Sequence, residues 1–529
     1  MRSRTSFLPA VGAAVARPGL LDRRTLRWAG PLGVTVLAAI LRFAGLGHPD
    51  TLMFDETFYV KDAWTLLNLG YESKWPEDVD VDDEFNSGNV GIFLPDASYV
   101  AHPPLGKWLI AIGLALFGAQ NPVGWRFSVA VAGTLAVLLL TVIAGTLFRS
   151  ALLGTLAGGL MAIDGHAIVL SRVTLLDNFV MLFGLLGFAC ILLDRRWFDR
   201  RFGQWERARD PEVATLGPAL AWRPWLIAAG VAFGLQTGVK WSGLYFLAGF
   251  AIYVLVVDAL ARRRAGVDAW PLVTIVRQGP LAFVSLIPAA LAAYLATYTG
   301  WFLTSGGWNR NWIAEGGERW TGLLAWVPDA IQNLWHWHSD IYGFHTALDS
   351  SHPYATPAIL WPLLARPTQV YYQGSGAGEN GCQFGYCAEI VWSIANPLIW
   401  YAGIAAAVFL VYRLIRLRIP RDGLILMGVA VGYLPWLTYP TRTMFQFYAI
   451  AFLPFLLLAL VAVIGIITGR VVDTGREPPA PHRVAMANRG LVLFVGLAVL
   501  LSAFFYPLWS GMQVPFWFWQ IHVWSPTWV

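Results

Sequence analysis

Residues 127–148 read FSVAVAGTLAVLLLTVIAGTLF, an apolar run without one charged side chain. At about 1.5 Å per residue, a helix of this length is roughly 33 Å long, enough to cross the ~30 Å hydrocarbon core of a bilayer. The run is apolar on every side, so it needs an apolar solvent all round. Water is absent there, and the helix is the form in which such a segment satisfies its own backbone. Outward from this stretch, comparable runs recur near 28–46, 151–170, 175–193, 225–239, 241–259, 281–299, 398–414, 424–440, 444–467 and 490–508. Together they predict an all-α polytopic membrane protein with about eleven transmembrane helices. The composition, 57% hydrophobic and 13% charged with mean hydropathy +0.55, excludes a soluble fold.

A net charge of +5 and a pI near 9.1 suggest nucleic acid only until the cations are located. They lie between the spans, where they set orientation, so no nucleic-acid partner is expected. Met1 to Arg27 is rich in Arg and leads to no cleavage site, which reads as a cytoplasmic tail. Leu105 to Ala119 is apolar but short and carries Lys107, so it is either a span or an interfacial helix. If it lies on the surface, the Arg-rich connections 194–201, 261–264, 413–421 and 470–489 all share the tail's side; if it spans, all four oppose it. The positive-inside rule selects the surface helix, a cytoplasmic N-terminus and an extracytoplasmic C-terminus.

The organisation expected from this topology is a tail 1–27, a transmembrane module 28–299, a large extracytoplasmic loop 300–397 and a transmembrane module 398–529. The first module includes a second large extracytoplasmic loop, 47–126, which is markedly acidic. Loop 300–397 is rich in Trp, His and Tyr, and that aromatic content argues for order. Loops this long are functional or disordered. No internal repeat is visible.

Chemistry-bearing residues gather at the extracytoplasmic side. Asp55 and Glu56 follow the first span directly; they serve either a helix N-terminus or as a general base, and local sequence supports both equally. The Asp80–Glu84 acids read as a solvated loop. His102-Pro103-Pro104-Leu105-Gly106-Lys107, Arg126, Arg172 and Arg442 place cations at headgroup level, where they snorkel or hold a lipid phosphate. Their shared side, with Lys240, favours an anion site. Asp164 and His166 are expected to bond across helices to Lys240 or Arg172. His336, His338, His345 and His352 match no zinc spacing, so no metal or other cofactor is predicted, although the sequence leaves a divalent ion open. Cys382 and Cys387 share the large outer loop, where a local disulfide is expected; Cys190 sits in a span.

Taken in order, Phe54-Asp55-Glu56, the His102 to Lys107 segment, Ser171-Arg172-Val173-Thr174-Leu175-Leu176-Asp177, His352-Pro353-Tyr354, Trp361 to Pro367, Asn396-Pro397 and Arg442-Thr443-Met444-Phe445 resemble the protein O-mannosyltransferases, a branch of the GT-C membrane glycosyltransferases. The resemblance runs through most of the chain. It implies transfer of mannose from a polyprenyl phosphate to Ser or Thr hydroxyls of exported proteins at the plasma membrane; because such acceptors must be unfolded to present hydroxyls, the Sec translocon is an expected partner. It implies that Asp55 is the base beside Glu56 and that Arg126 binds the donor phosphate. Lys107, Arg172 and Arg442 are further phosphate candidates, and His102, Asp177, His352 and Tyr354 further site candidates. Eukaryotic members carry a MIR domain in the large loop, and loop 300–397 is too short for one, so the chain resembles the actinobacterial type. Two other readings stand: a GT-C enzyme with a lipid or polysaccharide acceptor, and a transporter or flippase. The second predicts polar residues along mid-span or paired broken helices, whereas the polar chemistry here gathers at one face.

Overall fold

The computed structural model describes residues 26–210, 216–473 and 477–529. The tail 1–27 therefore lies outside the described residues, save for Leu26 and Arg27, which open the first helix. In chain order the helices are α1 (Leu26–Phe43), α2 (Glu56–Leu69), α3 (Val81–Asn86), α4 (Leu105–Phe117), α5 (Pro122–Phe148), α6 (Ala151–Ile163), α7 (Gly165–Val169), α8 (Asp177–Ala208), α9 (Pro224–Val239) and α10 (Gly243–Arg264). There follow α11 (Trp270–Val273), α12 (Gly279–Ala296), α13 (Thr299–Leu303), α14 (Asp329–Ala347), α15 (Pro397–Leu417), α16 (Pro420–Tyr433), α17 (Leu453–Ile467), α18 (Pro481–Ser510) and α19 (Phe516–Gln520). A π turn, Thr274–Gln278, joins α11 to α12.

Every apolar run read from the sequence is helical through most of its length. Among the described residues six helices are long and apolar enough to cross a membrane: Pro122–Phe148, Asp177–Ala208, Gly243–Arg264, Trp270–Ala296, Pro397–Leu417 and Pro481–Ser510. Five shorter apolar helices accompany them, α4 included. With 13 residues α4 is only about 20 Å long, too short to cross hydrocarbon alone.

Helix starts follow local chemistry. Asn121 accepts from the Val123 N–H with Pro122 at the first helical position of α5, and Asn396 repeats this before Pro397 at α15. Close packing comes from small residues. A Cβ on Gly230 or Gly234 of α9 would fall 2.3 Å from Leu286 O or 2.2 Å from Ala290 O of α12, so these two helices meet backbone to backbone.

Two groups of buried ions pin the helix ends remote from the 47–126 loop. Arg195 and Arg223 each contact both Asp194 and Asp258 at 2.5–2.6 Å. Arg413 and Arg421 share Asp422 and Asp473. Such buried charges persist only when paired and hydrogen-bonded.

The all-α expectation needs one correction. Part of loop 300–397 forms an antiparallel hairpin, β1 (Thr368–Gly376) and β2 (Tyr386–Ser393), and β3 (Gln513–Pro515) adds to β2 in the order β1-β2-β3. Aromatic and β-branched residues favour this pleated surface. Cys382 and Cys387 close the hairpin with the expected disulfide, Cα atoms 5.8 Å apart.

Candidate active site

The turn Met53–Glu56 separates two adjacent carboxylates into different environments. Phe54 has φ 52° and packs edge-on against His352, Phe445 and Phe447 at 5.4–5.9 Å between ring centroids. Asp55 becomes the N-cap of α2 yet makes no side-chain cap bond. Glu56 turns inward and is 0% exposed. Its carboxylate accepts from Arg126 Nε and Nη2 at 2.9 Å each, from Met53 N at 3.0 Å and from Thr174 N at 2.8 Å. A carboxylate with both oxygens so engaged fixes structure.

Arg126 completes that arrangement. Its Nη1 donates to Pro49 O at 2.6 Å and to Leu46 O at 3.4 Å, and Nη2 also donates to Thr51 O at 2.8 Å. All of its N–H groups thus have protein acceptors. Arg172 is similarly engaged, donating to the carbonyls of Leu41, Arg42, Ala44, Gly45 and Ser510. Lys107 lies 2.5 Å from Glu72 and 3.5 Å from Asp62. Lys107 and Arg126 thus brace the 47–126 segment, through Glu72 and Asp62 and through Pro49, Thr51 and Glu56, while Arg172 ties the end of α1 to Ser510 of α18. Local sequence cannot distinguish these cases, because the acceptors are mostly backbone carbonyls.

Asp164 and His166 also find other partners than expected. Asp164 accepts from Ala167 N and Asn396 N, and His166 meets Ser393 Oγ at 3.0 Å and Phe447 O at 3.2 Å. Lys240 pairs with Asp177 at 2.7 Å, and its ammonium lies 5.2 Å from the Tyr448 ring centroid.

The groups left around Asp55 come from five segments. Tyr59 Oη reaches Asp55 Oδ2 at 3.5 Å, and its ring lies 6.1 Å from His102. His102 stacks on His345 of α14 at 5.2 Å. His345 Nε2 sits 2.7 Å from Ala101 O, and a carbonyl only accepts, so Nε2 carries the hydrogen. Its Nδ1 is then an acceptor, and Arg442 Nη2 donates to it at 3.3 Å. The other Arg442 bonds are equally long, 3.3 Å to His345 O and 3.4 Å to Thr443 O. Among the described residues no carboxylate forms an ion pair with Arg442. It is half-buried, and its guanidinium lies over the Trp436 ring at 5.8 Å. His352 accepts from Tyr354 N at 3.1 Å, and Tyr354 lies under Arg366 at the edge of this group.

Burial pushes the Asp55 carboxyl up to about 6; Asp177 adds to the rise, while Lys240 and the Tyr59 hydroxyl oppose it. Burial likewise takes His345 down to about 4, helped by Arg442 and Lys240 and resisted by its bond to Ala101 O. His102 falls well below the usual range through burial and then the neighbouring Lys240, His345, Lys107 and Arg442. Around neutral pH the site thus contains a carboxylate near its proton-transfer range, neutral imidazoles and cationic Lys240 and Arg442. Tyr59 and Tyr448 join the group beyond the residues read from sequence, and His345 enters it as a partner of Arg442 where the sequence had weighed it only as a metal ligand. Among the described residues no three His, Cys, Asp or Glu side chains converge as a metal site.

A family model described as dolichyl-phosphate-mannose-protein mannosyltransferase matches residues 97–304. A Mycolicibacterium smegmatis protein named polyprenol-phosphate-mannose–protein mannosyltransferase is 35% identical over 99% of this chain and 98% of its own length. The chain belongs to the protein mannosyltransferase family. A Mycobacterium tuberculosis mannosyltransferase of the same name is 32% identical, across 97% of this chain and 94% of its own. The Saccharomyces cerevisiae protein O-mannosyltransferase Pmt1-Pmt2 complex, solved with its sugar donor, superposes with a TM-score of 0.68 at 14% identity, covering 95% of this chain and 92% of that one. That likeness establishes a shared GT-C fold. The mannosyltransferase match at 97–304 includes His102, Lys107, Arg126, Arg172, Asp177 and Lys240, whereas Asp55, His345 and Arg442 lie beyond it and are tied to the site by geometry.

Proposed function

We propose that this glycosyltransferase moves mannose from polyprenol-phosphate-mannose to Ser and Thr hydroxyls of unfolded exported proteins, with Asp55 as the general base. The observation that carries the assignment is the separation of the adjacent acids: Glu56 is locked to Arg126, while Asp55 is half-buried, uncapped and raised to about 6. A hydroxyl attacks well only while its proton is being removed, and a base with a pKa near the working pH does this best. In the proposed step the acceptor oxygen bonds to the mannose anomeric carbon as the carbon–oxygen bond to phosphate breaks. The hydroxyl proton passes to Asp55, and the bonding pair leaves with the polyprenyl phosphate. A single displacement of this kind inverts the anomeric centre, from a β-linked donor to an α-mannoside.

The departing phosphate needs cations. Arg442, held by His345, is the first choice because its existing bonds are long and include no carboxylate. Lys240 adds charge nearby, and neutral His102 offers a further hydrogen-bonding group. Arg126 is a positioning residue in this reading, as it engages Glu56 and so sets the turn that aims Asp55. His352 shapes the same turn through Phe54. The proposed reaction uses no metal, and loss of activity to a chelator, restored by one divalent ion, would refute that part.

The proposed topology has about eleven spans, a cytoplasmic N-terminus and an extracytoplasmic site in the plasma membrane, supported by the Arg-rich connections on one side. Module 28–299 contributes Asp55, His102, Asp177 and Lys240, loop 300–397 contributes His345, and module 398–529 contributes Arg442. Association with the Sec translocon belongs to the same proposal, since an unfolded acceptor presents its hydroxyls most readily during export.

The test is transfer of labelled mannose from polyprenyl-phosphate-mannose to a Ser/Thr-rich peptide by purified protein. Asp55→Asn should lower kcat by about 100- to 10,000-fold, the range for loss of a general base. Undiminished transfer by Asp55→Asn would remove the base assignment. Transfer to a lipid or glycan in place of peptide would overturn the acceptor class.

A further inference from the structure

The large loop carries an apolar turn that the reaction does not use. From Trp320 to Pro328 the sequence WTGLLAWVP has no ionisable side chain, while Arg319 and Asp329 form an ion pair across its neck. At the tip Leu323 is 94% exposed and Trp326 79%, and Trp335 on the first half of α14 is 65% exposed. A contiguous apolar surface of this kind marks an interaction site.

Its position indicates the partner. The continuous helix Trp270–Ala296, one of those able to cross the membrane, leads directly into α13, where Leu303 is 80% exposed. Arg310 Nε and Nη2 donate to the carbonyls of Trp301 and Phe302 at 3.0 and 3.3 Å. Asn333 of α14 donates to Arg310 O at 2.7 Å and accepts from Ile313 N at 3.1 Å. Gln332 then grips the turn itself, accepting from Trp320 N and donating to Val327 O, both at 2.7 Å. The turn is thereby fastened to the end of a span. Trp at an apolar tip with charges at the neck is the pattern of a segment resting at headgroup depth.

We propose that the 320–328 turn inserts into the membrane leaflet at this end of the bundle, with Leu323 and Trp326 in the acyl region and the Arg319–Asp329 pair among the headgroups. A consequence follows through α14, whose 19 residues span about 28 Å. One end is anchored in lipid, and the other carries His345 against Arg442. The anchor would hold that pair at a fixed depth relative to the leaflet. The proposal is independent of which sugar or acceptor the enzyme uses.

Leu323→Cys, in a Cys190→Ser background, is labelled with the environment-sensitive fluorophore NBD and placed in nanodiscs of phosphatidylcholine and phosphatidylglycerol at one chain per disc. Gln373→Cys, on an exposed strand position, is the control. The expected result is blue-shifted emission at 323 that is quenched by lipids bearing a doxyl group high on the acyl chain, with water-like, unquenched emission at 373. Water-like emission at both positions overturns the proposal. So does shielding of 323 that requires two chains per disc, which would make the turn an interface between copies, or shielding that requires added acceptor peptide, which would make it an acceptor surface.

Discussion

The division of labour between Arg126 and Arg442 can be tested by stability as well as by rate. Arg126→Met removes a charge that is 0% exposed and strands the equally buried Glu56 carboxylate. Breaking a buried pair from one side costs about 3–5 kcal/mol. The carbonyls of Pro49 and Thr51 also lose donors at 2.6 and 2.8 Å, about 1 kcal/mol each. The sum, roughly 5–7 kcal/mol, rivals the whole stability of an ordinary domain, about 5–15 kcal/mol. Arg126→Met should therefore melt far below wild type in detergent. Glu56→Gln/Arg126→Met should recover much of the loss, since the glutamine oxygen still accepts from Met53 N or Thr174 N and no charge is stranded. Thermal melting followed by Trp emission, run on both single variants and the double, completes the cycle. If Arg126→Met instead melts with wild type and only raises the donor KM, Arg126 binds the phosphate and the positioning role is wrong.

Arg442→Ala should behave in the opposite way, with an unchanged melting temperature and at least a tenfold loss in kcat/KM for the donor, about 1.4 kcal/mol of lost anion binding. With Asp55 near 6, the base is active only when deprotonated, so kcat should fall as pH drops below about 6 and level off above it. Lys240→Met removes a cation that favours the ionised form and strands Asp177, which disfavours it, so the acidic limb of the pH profile should move to higher pH. A limb that stays in place would show that Lys240 does not act on Asp55. At the far end of the bundle, Arg223→Ala should destabilise the protein by about 3–5 kcal/mol, because Asp194 and Asp258 both lose a partner. The check is again thermal melting, with the expectation that any folded fraction keeps wild-type donor KM.

The helices were legible because a run such as 127–148 has one physical solution in a bilayer. The β1–β2 hairpin was not. Its Thr368–Gly376 and Tyr386–Ser393 segments sit in a loop so rich in aromatics that period-two alternation is hard to see, and the aromatic content signalled order without its type. At the site, Asp55 was legible as one of a pair, but nothing local separates it from Glu56. The separation is imposed by Arg126 and Thr174, 70 and 118 residues further along. The arginines are hard to tell apart for a similar reason. Arg126, Arg172 and Arg442 look alike as basic residues near span ends, and only the folded structure shows bonds as short as 2.6 Å at the first two against 3.3–3.4 Å at Arg442.

The long reach of Glu56 has a consequence for biogenesis. Met53, Arg126 and Thr174 all meet its carboxylate, so the Met53–Glu56 turn cannot take its final form when it leaves the ribosome. At about 5–20 residues per second, the 118 residues separating Glu56 from Thr174 take roughly 6–24 s to synthesise. For the first 70 residues of that interval the acid has no cationic partner, and its last bond waits until the entry to α8 arrives. The last bond to form is thus also a checkpoint: a chain truncated or stalled before residue 174 holds every acid of the turn and Arg126 as well, yet lacks the Thr174 bond that completes the setting of Glu56 apart from Asp55.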